Sequence, residues 1–255
     1  MIRGALTTAC SLMAGLFLLP SPAAVVEIIE IEKRDWSFDG IFGSFDRTAQ
    51  QRGYQIYNEA CSGCHGLRLL TYRNLAALGY SEDDIKAFAT DFDVTDGPDD
   101  EGEMYQRNAL PSDHFVSPFP NTQASRAANN GALPPDLSLI VKARKNGADY
   151  IYALLTSYGD APDDEELPDG MYYNAVFPGH QIAMPPPLYD DTIEYSDGTL
   201  ATVDQMASDV TTFLAWAASP EMEARKRLGL KAMLFLLVLT ALLAAVKHKV
   251  WSRLN

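Results

Sequence analysis

Cysteine is scarce in this chain of 255 residues: there are three, alongside four histidines. Scarcity at that level excludes a disulfide-built scaffold and speaks against the usual structural zinc sites, which draw four Cys or His ligands from closely spaced pairs. A glycine-rich dinucleotide fingerprint, a P-loop, a His-Glu-x-x-His pair and internal repeats are also absent, which removes the commonest grounds for nucleotide or zinc-protease chemistry. Positive charge is short as well, with 20 Lys and Arg against 34 Asp and Glu for a net of −14. A surface of that sign repels nucleic acid and attracts basic proteins.

Apolar sequence, by contrast, is concentrated at both ends. Residues 4–19 are almost wholly apolar or small, follow one positive charge at Arg3, and lead into "PSPAA", where Ser21 and Ala23 are set like the small residues of a signal-peptidase site. About 15 apolar residues fall short of the roughly 20 that span a bilayer, so residues 1–24 are expected to be an export signal cut near Ala23 or Ala24. At the other end, "LGLKAMLFLLVLTALLAAV" (228–246) is broken only by Lys231 and Thr240, and as a helix it would reach about 28 Å, close to the hydrocarbon thickness. Residues 221–255 are therefore expected to be a membrane anchor with a short tail. Lysines and arginines flank the run on both sides, so the positive-inside rule does not orient it. The export signal does, by placing residues 25–220 in the periplasm and the tail in the cytoplasm. Residues 24–220 carry 32 acidic and 12 basic side chains, a net of −20.

Within that exported part three helical regions are legible. The first runs from about Thr48 to Ala60, capped by Asp46, and leads into the cysteine motif. The second is "PPDLSLIVKAR" (134–144) continued after "KNG" by "ADYIYALLTSYG", whose Tyr150, Ile151, Leu154 and Leu155 recur at helical spacing. The third starts at Thr202 with Gln205 in capping-box position, buries Val203, Met206, Val210, Phe213, Leu214 and Ala217, and stops at Pro220. Long loops rich in Pro, Gly and acid fill 91–103, 110–123, 159–170 and 177–191. Loops of that length call for an organiser other than side-chain packing, and a large cofactor would serve.

The motif "NEACSGCHGL" (58–67) holds Cys61 and Cys64 with His65 directly after. Its candidate chemistries are a redox dithiol, half a zinc site, a disulfide and a covalent haem. Zinc lacks its other ligands, because the remaining histidines are scattered. A thioredoxin-type dithiol lacks the strand–turn–helix setting. Covalent haem accounts for all three residues: each thiol forms a thioether to a vinyl group, and the adjacent imidazole becomes an axial ligand. For the second axial position Met104, Met171, Met184, Met206 and Met222 compete with His114 and His180. Met184 is favoured, since in "IAMPPPL" three prolines stiffen the loop that would present its sulfur. A thioether is soft and raises the reduction potential, and iron ligated on both sides points to electron transfer.

Beyond the motif, "SPFPNTQASRAANNGALPPDLSLIVKAR", "DYIYALLTSYG", "YYNAVFPGHQIAMPPPLYDD", "TVDQMASDVTTFLAWAASPE" and "RKRLGLKAM", in this order, resemble the cytochrome c1 family, the haem subunits of the cytochrome bc1 complex (quinol–cytochrome c reductase). The resemblance runs from about Trp36 to the anchor. It implies a mainly α-helical class I cytochrome c-type domain with long loops and one C-terminal transmembrane helix in a bacterial inner membrane. It further implies one haem c held by Cys61 and Cys64, axial ligands His65 and Met184, Arg126 near a haem propionate, and Asn129 and Pro135 in the haem-lining segment. The implied partners are a cytochrome b subunit, a Rieske iron–sulfur donor, and a basic soluble or tethered cytochrome c docked by the acidic loops. In this picture the chain is an electron carrier within an enzyme, and quinol chemistry belongs to its partner. Some bacterial relatives brace the loop before the methionine with an extra cysteine pair; this chain has none, which leaves the prolines as candidate braces. Two rivals stay open from sequence: a stand-alone membrane-anchored cytochrome c serving a terminal oxidase or nitric oxide reductase, and a haem enzyme or sensor with a vacant iron site.

Overall fold

The computed structural model describes residues 29–163 and 166–252; the expected export signal, residues 1–24, lies outside them. Six α-helices carry the fold: α1 (Arg47–Ile56), α2 (Glu82–Thr90), α3 (Thr122–Ala128), α4 (Gly147–Thr156), α5 (Val203–Ala218) and α6 (Met222–Trp251). A π-helical turn, Tyr57–Cys61, extends α1, and a 3₁₀ helix spans Tyr72–Leu78. Among the described residues, strand is confined to two short antiparallel pairs, β1 (Asp93–Asp96) with β2 (Tyr105–Asn108), and β3 (Tyr172–Tyr173) with β4 (Gln181–Ile182). The mainly helical class expected from sequence is what forms.

The crossing of α1 and α5 is the centre of the domain. Asp46 caps α1, its Oδ1 accepting from the Thr48 and Ala49 amides at 2.9 and 3.2 Å. Thr202 caps α5 by accepting from the Gln205 amide at 3.2 Å, but the Gln205 amide group turns away to Asp209, so the reciprocal half of the expected capping box is absent. The helices meet at Gly53, where an added Cβ would stand 2.2 Å from the Asp209 carbonyl oxygen and 2.6 Å from Phe213 Cβ. Only a residue without a side chain permits that approach. Beside it, Arg52 grips the buried Asp209 with two bonds of 2.7 and 3.0 Å and reaches Asp197 at 2.8 Å, while Gln205 Nε2 donates to Asp209 at 3.0 Å. A buried carboxylate satisfied this fully avoids the desolvation penalty of an unpaired charge. The Thr199 amide and Arg52 together hold the Asp197 carboxyl down at about 2.

An aromatic cluster fills the space around the crossing. Tyr72 stacks on Phe115 at 4.5 Å between ring centres, Tyr54 and Tyr57 lie 5.8 and 5.9 Å from Phe213, and Phe213 lies 5.8 Å from Trp216. Large rings bury much area per residue, which suits a domain with so little regular structure. From Asp209 onward α5 is buried all round rather than along one stripe, while its first turns leave Asp204 exposed.

Two sequence expectations are corrected. Residues 134–144 form successive turns, not a helix, with α4 starting only at Gly147. Pro134 and Pro135 offer no amide, the Leu137 amide donates to Gly66 O at 2.8 Å, and the Asp136 carboxylate takes the Ser138 and Arg68 amides, both at 3.0 Å. Backbone groups committed to another segment cannot close helical bonds. The loop 91–103 contains β1, which pairs with β2, and Arg107 on β2 reaches Asp96 and, at 2.6 Å, Asp113, offsetting part of the local negative charge.

Helix α6 is 30 residues long, has a mean hydropathy of 2.3 over its most apolar window, and buries none of that window in the domain. By length, about 45 Å, and composition it suffices to cross a membrane. Its first turns are nonetheless fastened to the domain: Glu223 accepts from the Phe45 amide at 2.9 Å and from Arg47 at 2.8 Å. Replacing Gly53 by Ala is expected to destabilise the domain by about 1–3 kcal/mol through overpacking at the crossing, whereas Gly159→Ala, where a Cβ meets nothing within 4 Å, should be near neutral. Thermal denaturation of the two variants side by side checks this.

Candidate haem site

The motif's geometry follows from the way α1 ends. The π turn places Ser62 N–H on Tyr57 O at 2.8 Å, and the Cys64 and His65 amides both converge on Cys61 O at 3.1 and 2.9 Å. Such widened turns interrupt helices most often at functional positions. The Tyr57 hydroxyl then donates to His65 O at 3.0 Å, pinning the end of the motif. Neither Cys61 nor Cys64 is in a disulfide. Cys61 lines the cavity, and burial pushes its thiol up to about 12.

His65 is oriented by the corrected segment. Its Nδ1 lies 2.7 Å from Pro135 O, and a carbonyl can only accept, so Nδ1 carries the hydrogen and Nε2 presents its lone pair. Burial lowers the imidazole's pKa, against opposing contributions from the Pro135 bond and Asp136. The ring is thus neutral and fixed in one tautomer, as metal-ligating histidines are.

Cys61, Cys64 and His65 line a cavity of about 500 Å³, within the size range of cofactor sites. Its other walls come from the turns around Leu133–Ile140, from Ile151, Leu154 and Leu155 of α4, from Val210 and Leu214 of α5, and from the loop Ile182–Leu188. That loop brings in Met184. A large, mainly apolar cavity with two free thiols, a neutral imidazole and a thioether in its lining fits a covalently held haem. Among the described residues no three His, Cys, Asp or Glu side chains group as metal ligands.

The methionine loop is held by buried polar groups. Asn174, fully buried, donates from Nδ2 to Leu154 O at 2.8 Å and accepts at Oδ1 from the Val176 and Phe177 amides at 3.1 and 3.0 Å. Its amide donates to His180 O at 2.9 Å. Tyr158 donates to Met184 O at 3.1 Å, and burial pushes its hydroxyl well above the usual range, so it stays a donor. These bonds, added to the prolines, do the bracing that an extra disulfide would otherwise provide.

Of the residues singled out from sequence, Cys61, Cys64, His65, Asn129, Pro135 and Met184 share the cavity. Arg126 is not in the lining; its guanidinium donates to Gly131 O at 2.8 Å. Of the competing sulfurs and imidazoles, Met206 is fully buried in α5, Met104 is exposed, and Met171, Met222, His114 and His180 are not in the lining either. Sequence reasoning passed over Arg144, which among the described residues is the one Lys or Arg lining the cavity, and it passed over Asn174 and Tyr158. None carries a local motif; a polar residue amid "YYNAVF" is the only trace of Asn174.

A family model described as the Cytochrome C1 family matches residues 36–254. The chain belongs to the cytochrome c1 family. It is 51% identical over 239 residues to a cytochrome c1 of Rhodospirillum rubrum, covering 88% of each chain. It is 49% identical over 218 residues to the mitochondrial cytochrome c1 heme protein of Saccharomyces cerevisiae, covering 85% of this chain and 71% of that one. A protein of Bradyrhizobium diazoefficiens named cytochrome b/c1 is 48% identical over 239 residues, 85% of this chain and 35% of its own length. Family membership makes this an electron-transport haem protein with a C-terminal transmembrane helix. Truncating Asn174 to Ala removes the side-chain partner of the Leu154 carbonyl and of the Val176 amide, while the Phe177 amide keeps its bond to the residue-174 carbonyl, and is expected to cost about 1–3 kcal/mol, against about 1 kcal/mol or less for Tyr158→Phe. Thermal midpoints of the two variants measure the difference.

Proposed function

We propose that Cys61 and Cys64 hold one haem c by thioether bonds, that His65 Nε2 and Met184 Sδ are its axial ligands, and that the chain relays single electrons in a quinol–cytochrome c reductase. The observation that carries the reading is the convergence of the CSGCH motif and Met184, distant in sequence, on one apolar cavity. The bound haem supplies one-electron redox chemistry. The protein's part is to position and insulate. Pro135 fixes the imidazole's tautomer, the leucines and isoleucines of α4 and α5 exclude water, and the Asn174 and Tyr158 bonds hold the sulfur-bearing loop in place. Arg144, which lines the cavity, would offset the charge of the cofactor's carboxylates, and Asn129 lines the same cavity; Arg126 shapes the segment through Gly131.

In this reading residues 1–24 are a cleaved export signal, residues 25–220 form a periplasmic domain, and residues 221–255 are an anchor in the bacterial inner membrane with a short cytoplasmic tail. The electron donor is a Rieske iron–sulfur protein and the acceptor a basic soluble or tethered cytochrome c, drawn by the net charge of −20 on residues 24–220. A cytochrome b subunit carries out the quinol chemistry, a role supported by the relative named cytochrome b/c1. This chain breaks no bond in an organic substrate.

Three outcomes test the proposal. Purification in mild detergent should bring down a b-type cytochrome and a Rieske protein with the chain; recovery of the haem protein without either favours a stand-alone carrier. Met184→Leu should lower the midpoint potential on the order of hundreds of millivolts, because the soft ligand is lost; an unchanged potential assigns the ligand elsewhere. The bimolecular rate of electron transfer to a basic cytochrome c should fall as ionic strength rises toward physiological values, where the Debye length is about 8 Å. A salt-independent rate removes the acidic loops from docking.

A further inference from the structure

Just before α1 the chain makes a closed loop whose tip is apolar and faces solvent. The Ser44 amide donates to Ser37 O at 3.0 Å and the Asp39 amide to Trp36 O at 2.9 Å, closing the base. Gly43 lies so close to the opposite limb that a Cβ there would stand 1.9 Å from Asp39 O. Phe38 is packed between Trp36 and Phe45, with ring centres 5.5 and 5.1 Å away. The tip itself has no such cover: Ile41 is 72% exposed and Phe42 83%. A closed loop that holds two large apolar side chains in water forgoes the stabilisation of burying them, unless something covers them.

Its position relative to α6 identifies the cover. Lys226, in the second turn of α6, donates to both limbs of the loop, to Phe38 O at 2.7 Å and Gly43 O at 3.0 Å. Ile41 and Phe42 share a cleft with Arg227 and Leu230. Leu230 belongs to the apolar run of the membrane helix, while Arg225, Lys226 and Arg227 immediately precede it. The tip therefore stands at the level where α6 passes from its basic collar into its apolar span, the depth at which the headgroup layer meets the acyl chains. Basic residues at that level favour anionic lipid phosphates, and apolar side chains there bury into the boundary.

We propose that the Ile41–Phe42 tip is a membrane-interface wedge that inserts into the headgroup–acyl boundary beside the first turns of α6 and so fixes the attitude of the haem domain over the bilayer. Asp39, exposed on the same loop, limits the depth by staying in the headgroup layer. Lys226 is the clamp, since it ties the loop to the helix whose depth the bilayer sets. The proposal requires α6 to span the membrane but is independent of the haem ligand assignment.

The test is nitroxide labelling of Phe42→Cys in a Cys10→Ser background of the full haem-loaded chain, in nanodiscs of phosphatidylcholine and phosphatidylglycerol and in the purified complex. Val238→Cys, mid-span, is the companion site. Collision with oxygen should exceed collision with a water-soluble nickel chelate several-fold at both positions, less at 42 than at 238. A lipid-like Val238 label with a water-like Phe42 label overturns the wedge and leaves the anchor standing; water-like labels at both overturn the wedge together with the anchor. A Phe42 label shielded from both quenchers in the complex means that a protein neighbour covers the tip, which also overturns the lipid assignment. Lys226→Met provides the second arm: the Phe42 label should lose most of its preference for oxygen while Val238 keeps its own, and retention of that preference overturns the clamp.

Discussion

The contact of α1 with α5 at Gly53 is the constraint from which the domain is built. With no side chain there, the two backbones approach until Phe213 and the Asp209 carbonyl occupy the space a Cβ would need, and Arg52 closes the crossing over a buried carboxylate. That contact serves the site directly. α1 runs straight into the π turn and the CSGCH motif, while α5 supplies Val210 and Leu214 to the cavity. The crossing sets where the thiols stand relative to the apolar wall they face.

Around this fixed pair, the site is completed by irregular chain held through buried polar groups rather than by regular elements. Asp136 and the Pro135 carbonyl stitch the turn segment to the motif, and Asn174 with Tyr158 does the same for the methionine loop. A buried polar group that is fully bonded specifies one arrangement, because every alternative leaves a donor or acceptor unmet. That is how loops rich in proline and glycine present side chains in defined places before a cofactor is considered. The anchor is joined to the domain in the same manner, through Glu223 and Lys226 binding backbone groups of the segment before α1.

Much of this was legible in the sequence where the signal is local. The caps at Asp46 and Thr202, the apolar periodicity of α4 and the long apolar run of α6 each depend on residues within a turn or two of one another, and these form, although the capping box at Thr202 lacks its reciprocal half and α5 is buried well beyond its apolar stripe. The failures share a different cause. Residues 134–144 have helical spacing, yet the Leu137 amide goes to Gly66, the Pro135 carbonyl to His65 and the Asp136 carboxylate to the Arg68 amide, partners far away in the chain. Acidic residues 91–103 read as loop, yet β1 forms there by pairing with β2, whose Arg107 offsets part of the local negative charge.

By itself, then, the sequence determined the chemistry available: two thiols and an imidazole at haem-attachment spacing, a methionine among prolines, an acidic surface and one span-length helix. Tertiary structure alone decided which of several sulfurs enters the cavity, which tautomer His65 adopts, that Arg144 rather than Arg126 lines the cavity, and that Asn174 secures the loop. Covalent spacing and hydrophobic period are properties of neighbours along the chain, whereas convergence on a cavity depends on backbone bonds between segments that no local pattern records.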